Sequence, residues 1–181
     1  MSDVVPTDQN LLAAYRRGDM AAFDRLYGRY RQPLYLYLLR RGHTESVAED
    51  IFHDCWIRVI DQGKSFEGEH FRAWLYAIAR NLSTDYFRKA LIRVADVLDE
   101  NSLEQAHVST ERQQLAMDCI ELIKSSLGRL PVEQRDVFLL KEEAGLSLQQ
   151  IAEIMVVGRE TIKSRIRYAM NQLKQLMADC L

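Results

Sequence analysis

Apolar residues recur at helical spacing along nearly the whole chain, and polar punctuation cuts the pattern into segments. A first helix is expected over Asp8–Arg17, ended by Gly18. Asp19 then caps a long helix with an apolar stripe of Phe23, Leu26, Tyr27, Tyr30, Leu34, Leu38 and Leu39, in which Pro33 is expected to introduce a kink. Gly42 and Thr44 separate it from a third helix over Glu45–Gln62. There Val47, Ala48, Ile51, Cys55 and Val59 make one face, which leaves Asp50, His53, Asp54 and Arg58 off it and exposed. A loop over 63–70 leads to a fourth helix, from Phe71 towards Lys89.

The C-terminal part has a different rhythm. Leu130-Pro131 opens a helix, since proline is tolerated where a backbone N–H has no partner anyway. Gly145 sits where a left-handed residue would end it. Ser147 and Gln150 have the spacing of a capping box, so a short helix follows, with Ile151, Ala152, Ile154 and Met155 inward. Val156-Val157-Gly158 makes the turn. The last helix starts near Arg159, and Ile162, Ile166, Ala169, Met170, Leu173, Leu176 and Met177 form its stripe. Its other side presents Arg159, Lys163, Ser164 and Arg167 near the N-terminal end. Helix, turn and basic-edged helix is the layout of a helix-turn-helix DNA reader, whose second helix enters the major groove by that end. Arginine and lysine there suit guanine edges and phosphates.

Composition narrows the classes. The chain has 181 residues, 48% hydrophobic and 28% charged, enough for one or two packed domains rather than a disordered segment. With 8 Gly and 3 Pro the fold class expected is all-α. The net charge of −2 is low for a free DNA binder, and counterion release would give it little affinity for duplex by itself. Residues 91–128 are distinctly acidic, with 3 Lys+Arg against 7 Asp+Glu. Such a chain is expected to read DNA within a larger assembly. Cys55, Cys119 and Cys180 have no ligand spacing, nor do His43, His53, His70 and His107, and no nucleophile or phosphate-loop motif occurs. No metal, no cofactor and no enzymatic activity are therefore expected. The start MSDVVPTDQN lacks the features of a secretory signal, and the apolar runs are too short for a bilayer, so a cytoplasmic protein without membrane insertion is expected.

The segments AEDIFHDCWIRVI and FRAWLYAIARNLSTDYFRK resemble the second conserved region of bacterial sigma factors, and LSLQQIAEIMVVGRETIKSRIRYAMNQL resembles the fourth. Their order, with only a linker between them, is similar to the extracytoplasmic-function (ECF) group of RNA polymerase sigma factors. The resemblance implies two small helical domains joined by a flexible linker: a region-two-like domain over 8–90, an acidic linker over 91–112, and a region-four-like domain over 113–181; the capping-box spacing of Thr110 and Gln113 marks a helix start there. It implies docking on core RNA polymerase through Asp50, His53 and Asp54. It implies contact with the −10 promoter strand through the loop from Phe66 to Phe71 and through Arg72, Arg80, Asn81 and Arg88. Trp74 and Tyr76 have the look of stacking residues, although the helical spacing of Trp74 points to the core. The −35 duplex would be read by Arg159, Glu160, Thr161, Lys163, Ser164 and Arg167. An anti-sigma factor is the implied regulatory partner, and a regulon of stress or envelope-type genes the implied output.

The chain departs from the family pattern in four places: His53 replaces a glutamine, Val156 a glycine, Gly158 a serine-like cap, and the loop carries Glu67, Glu69 and His70. Two other readings stay open at this point. One is a repressor or activator that binds duplex without polymerase. The other is a sigma-like decoy that captures anti-sigma factors.

Overall fold

The computed structural model describes residues 6–63, 66, 68–96 and 125–178, without side chains at 93–96 and 177–178. The described residues form helices and turns and no strands. In chain order they are α1 (Asp8–Arg16), α2 (Met20–Arg40), α3 (Glu45–Gln62), α4 (Phe71–Asp96), α5 (Val132–Glu142), α6 (Leu148–Met155) and α7 (Arg159–Ala178), with a helical stretch at 125–128 before α5. Much of the linker, the helix start near Thr110–Gln113, Glu67, His107, Cys119 and Cys180 lie outside the described residues.

Helix ends follow local chemistry. The Thr7 and Asp19 side chains accept N–H groups of the first turns of α1 and α2, and Ser147 and Gln150 form a reciprocal capping box on α6. Gly18, Gly42 and Gly145 take positive φ after their helices. Pro33 lies inside α2, which runs through it unbroken. The fourth helix extends beyond Lys89 to Asp96, into residues assigned to the linker from sequence. One helix end breaks the local rule: Val156 closes α6 at φ 56°, ψ 47°, a left-handed conformation that a β-branched side chain adopts at a cost.

Helices α1–α4 pack as one bundle around Leu26, Leu34, Leu38, Val59 and Leu75, all completely inaccessible to water. A band of rings, Phe23, Tyr27, Phe52 and Trp56, fills the space between α2 and α3, with Phe23 and Tyr27 stacked and the contacts to Phe52 and Trp56 edge-on. Thus Phe52 and Trp56 join the α3 stripe expected from sequence. The second core is built by α5, α6 and α7 on Val137, Leu140, Ile151, Ile162 and Ala169.

The two bundles touch. Helix α6 lies on α4, and a cluster of charges crosses between α2, α4 and α5. Arg41, the C-cap of α2, and Asp136 of α5 form a bidentate pair, with bonds of 2.8 and 2.9 Å and both side chains 3% exposed or less. Arg80 Nε donates to the same carboxylate at 3.1 Å.

Candidate nucleic-acid interface

Three surfaces carry the candidate residues. The first is the outer face of α3. Burial of Ile51, Phe52, Cys55, Trp56 and Val59 against α2 and α4 turns Asp50, His53 and Asp54 to solvent. Ile57 and Ile60 share that outward face, 54% and 48% exposed, and Asp61 continues it. A surface of carboxylates interleaved with exposed isoleucines suits a basic protein partner that also offers apolar area. The isoleucines were missed from sequence, although their register off the α3 core stripe was the available signal. Cys55 faces the opposite way, and burial pushes its thiol up to about 12, so it is an inert core thiol.

The second surface is the loop before α4 and the helix itself. Phe66 stacks on Trp74 with ring centroids 4.4 Å apart and planes 17° from parallel. Both rings are half-buried and line an open groove of about 490 Å³ with Gly68, His70 and Ala73. The opposite wall is Gln150, Glu153 and Ile154 of α6. Phe71, expected on the strand-contacting side, is instead 1% exposed, packed against Tyr30 and Trp74. It anchors the start of α4 and does not reach the surface. Tyr76 is equally buried, so of the two rings in doubt Trp74 is the one that faces the groove.

The basic residues of α4 have unequal freedom. Arg72 donates from Nε to the Tyr30 hydroxyl at 3.1 Å, and that hydroxyl in turn bonds Asp8. Burial of the phenol raises Tyr30 to about 12, so it stays a neutral donor and acceptor. Arg80 is held by Asp136, with its side chain 19% exposed. Asn81 is exposed, and Arg88 is exposed with a weak i−3 pairing to Asp85. Beneath this helix His43 bonds Ser83 and stacks on Phe87. Burial, with Arg41 and Arg135 nearby, lowers it to about 4, which keeps the ring neutral near neutral pH.

The third surface is the first half of α7. Ile162 and Ala169 enter the core, which leaves Arg159, Glu160, Thr161, Lys163 and Arg167 exposed along one edge and Ser164 half-buried beside it. Lys163 pairs with Glu160 at 2.7 Å, and Lys163 holds the Glu160 carboxyl below its ordinary value. Ser164 Oγ donates to the Thr161 carbonyl, and Arg167 lies 5.3 Å from the ring centre of Tyr168. None of these contacts buries a charge, so the edge can exchange them for DNA cheaply. Among the described residues no cluster of His, Cys, Asp or Glu could hold a metal, and no helix is long and apolar enough to cross a membrane.

Comparison with known proteins gives the same division. Residues 26–91 match the model of Sigma-70 region 2, and residues 126–175 match that of Sigma-70 region 4. The ECF RNA polymerase sigma-E factor of Haemophilus influenzae is 31% identical over 171 residues, covering 88% of this chain and 89% of that protein. The ECF sigma factor BldN of Streptomyces coelicolor is 28% identical over 175 residues; the match covers 93% of this chain and only 65% of BldN. Among solved structures, the sigma factor RpoE of Bartonella quintana, crystallised with the anti-sigma factor NepR, superposes with a TM-score of 0.69 at 27% identity, over 86% of this chain and 96% of RpoE. Two region models in this order, joined to an all-helical fold, settle the family: the chain belongs to the ECF group of bacterial RNA polymerase sigma factors, non-catalytic proteins of promoter recognition and transcription initiation.

Proposed function

We propose that this chain docks on core RNA polymerase through the outer face of α3, reads the −35 duplex with the edge of α7, and captures the −10 strand with the loop and α4. The observation that carries the reading is the separation of three solvent-facing surfaces of different chemistry on one chain. The α3 face is acidic and apolar, which suits protein. The α7 edge is basic and narrow, which suits a major groove. The groove beside α4 is lined by a stacked ring pair, which suits an unpaired base. Neither a repressor nor a decoy needs all three.

Within that reading, Asp50, His53 and Asp54, with Ile57 and Ile60, hold polymerase. Arg159, Thr161, Lys163 and Arg167 contact duplex phosphates and base edges, while Glu160 and Ser164 set the register of the helix. The regulated genes are of the stress or envelope type, and an anti-sigma factor holds the chain in reserve, as NepR accompanies RpoE in the related structure. The test is co-migration of the purified chain with core RNA polymerase in size-exclusion chromatography, for wild type and Asp50→Lys. A stable complex that Asp50→Lys abolishes, with the variant still folded, supports the reading. A folded wild-type chain that forms no complex removes polymerase from it.

A further inference from the structure

The buried charges between the two bundles form a site as well as a contact. Arg41 and Arg80, from α2 and α4, converge on one carboxylate. Arg41 is fixed from three sides: Nη1 donates to the Arg80 carbonyl at 3.0 Å, Nη2 reaches Thr84 Oγ1 at 3.4 Å, and the guanidinium carbon lies 5.9 Å from the ring centre of the buried Tyr37. The first bundle thus builds a two-arginine anion clamp at the base of α4, and Asp136 of the second bundle fills it. A phosphodiester offers paired oxygens of the same fork geometry and the same charge as a carboxylate.

We propose that Arg41 and Arg80 bind a backbone phosphate of the captured DNA strand, and that Asp136 occupies this clamp when the two bundles are closed. This rests on the promoter reading above. Closure and strand binding in the clamp are then mutually exclusive. Asp136 takes both guanidinium groups, and α6 borders the nearby groove that holds Phe66 and Trp74. Rim contacts add to the closed form: Arg40 pairs with Glu143 at 2.5 Å, and Arg135 Nη1 donates to the Arg41 carbonyl at 3.1 Å. Opening exposes the clamp to water, so the arginines exchange one anion for another without a lasting unpaired buried charge.

The test uses the full chain in two measurements, the radius of gyration by small-angle X-ray scattering and the affinity for a short labelled single-stranded DNA by fluorescence anisotropy. Asp136→Asn is expected to enlarge the particle and tighten strand binding about tenfold, the scale of one charge-assisted contact. Adding Arg41→Ala or Arg80→Ala to Asp136→Asn should cancel that gain, as should replacing the DNA by a methylphosphonate backbone, which lacks the charge. Glu143→Gln guards against a folding defect, because it weakens only the rim of the contact. It should produce a smaller expansion and a smaller gain. An unchanged radius in both variants overturns the latch, and a gain that survives loss of both arginines overturns the phosphate site. Core polymerase binding by wild type is scored separately, so failure of the promoter reading is told apart from failure of the clamp.

Discussion

The edges of α7 and α4 both carry arginines suited to nucleic acid, yet the rest of the molecule treats them differently. On α7, among the described residues, the side chains of this edge touch near neighbours in their own helix. On α4 Arg72 is tied into the Tyr30–Asp8 network and Arg80 into a buried carboxylate from the other bundle. Under the proposed reading, duplex binding by α7 therefore needs no rearrangement, whereas strand capture through Arg72 and Arg80 competes with contacts already made. The difference fits the targets proposed for them: a duplex presents its groove at all times, but a single strand exists only after opening.

The largest effect that separates the two edges is expected on the α4 side, in acid. His43 lies under α4 and is held neutral, its value lowered to about 4 by burial first and then by Arg41 and Arg135. Between that value and an ordinary histidine value the unfolded chain binds a proton that the native chain refuses, so stability rises with pH there. The contribution is complete above about pH 6.5 and is lost as pH falls towards 4, on the order of 3 kcal/mol in all. Urea midpoints measured across this range should fall steeply for wild type and less steeply for His43→Asn. Parallel curves for the two proteins would mean that His43 is not the group that titrates.

Next is the α7 side. Arg167→Ala should lower −35-dependent transcription about thirtyfold, one base-edge or bidentate contact, and leave polymerase binding and the radius of the free chain unchanged. Arg80→Ala should do the reverse, sparing duplex affinity and −35 dependence and acting on the strand side alone, while Arg41 still holds Asp136. If Arg167→Ala also weakened the complex with polymerase, the helix would be acting as structure and the contrast between the edges would collapse.

How much of this was legible in sequence depends on the range of the interaction. Caps, glycine stops and the α3 register are local, and Asp19, Ser147, Gly42 and Gly145 behave as their neighbours dictate. Helix α4 was harder, because it packs on α1, α2 and α3 and also meets α6, so its apolar residues occupy several sides. Periodicity then cannot say which ring is outermost, and Phe71 and Tyr76 turned out buried while Trp74 faces the groove. Arg41 and Asp136 were invisible, since they stand 95 residues apart and each looks like an ordinary surface charge in its own helix.

The turn that sets the angle of α7 gives a smaller effect, of opposite sign. Val156 holds a left-handed conformation, is 87% exposed, and so gains no packing in return. Val156→Gly should stabilise the second bundle by about 1 kcal/mol, relief of strain less the extra entropy of an unfolded glycine. Chemical denaturation would show it, and a loss of stability instead would mean that the valine side chain restrains the turn.

The smallest effect sharpens the comparison most. Lys163 and Glu160 form an exposed pair, so neither charge has left water, and breaking the pair should not move the unfolding midpoint. In Lys163→Ala the logarithm of duplex affinity should depend on the logarithm of salt with a slope shallower by about one, because one counterion fewer is released from the phosphates. The same experiment on Arg80→Ala with single-stranded DNA should give a change that depends on Asp136, large when Asp136→Asn has opened the clamp and slight when the clamp is filled. An Arg80 effect that ignored Asp136 would place both edges in the same class, each free in solution, and the contrast between them would be one of position alone.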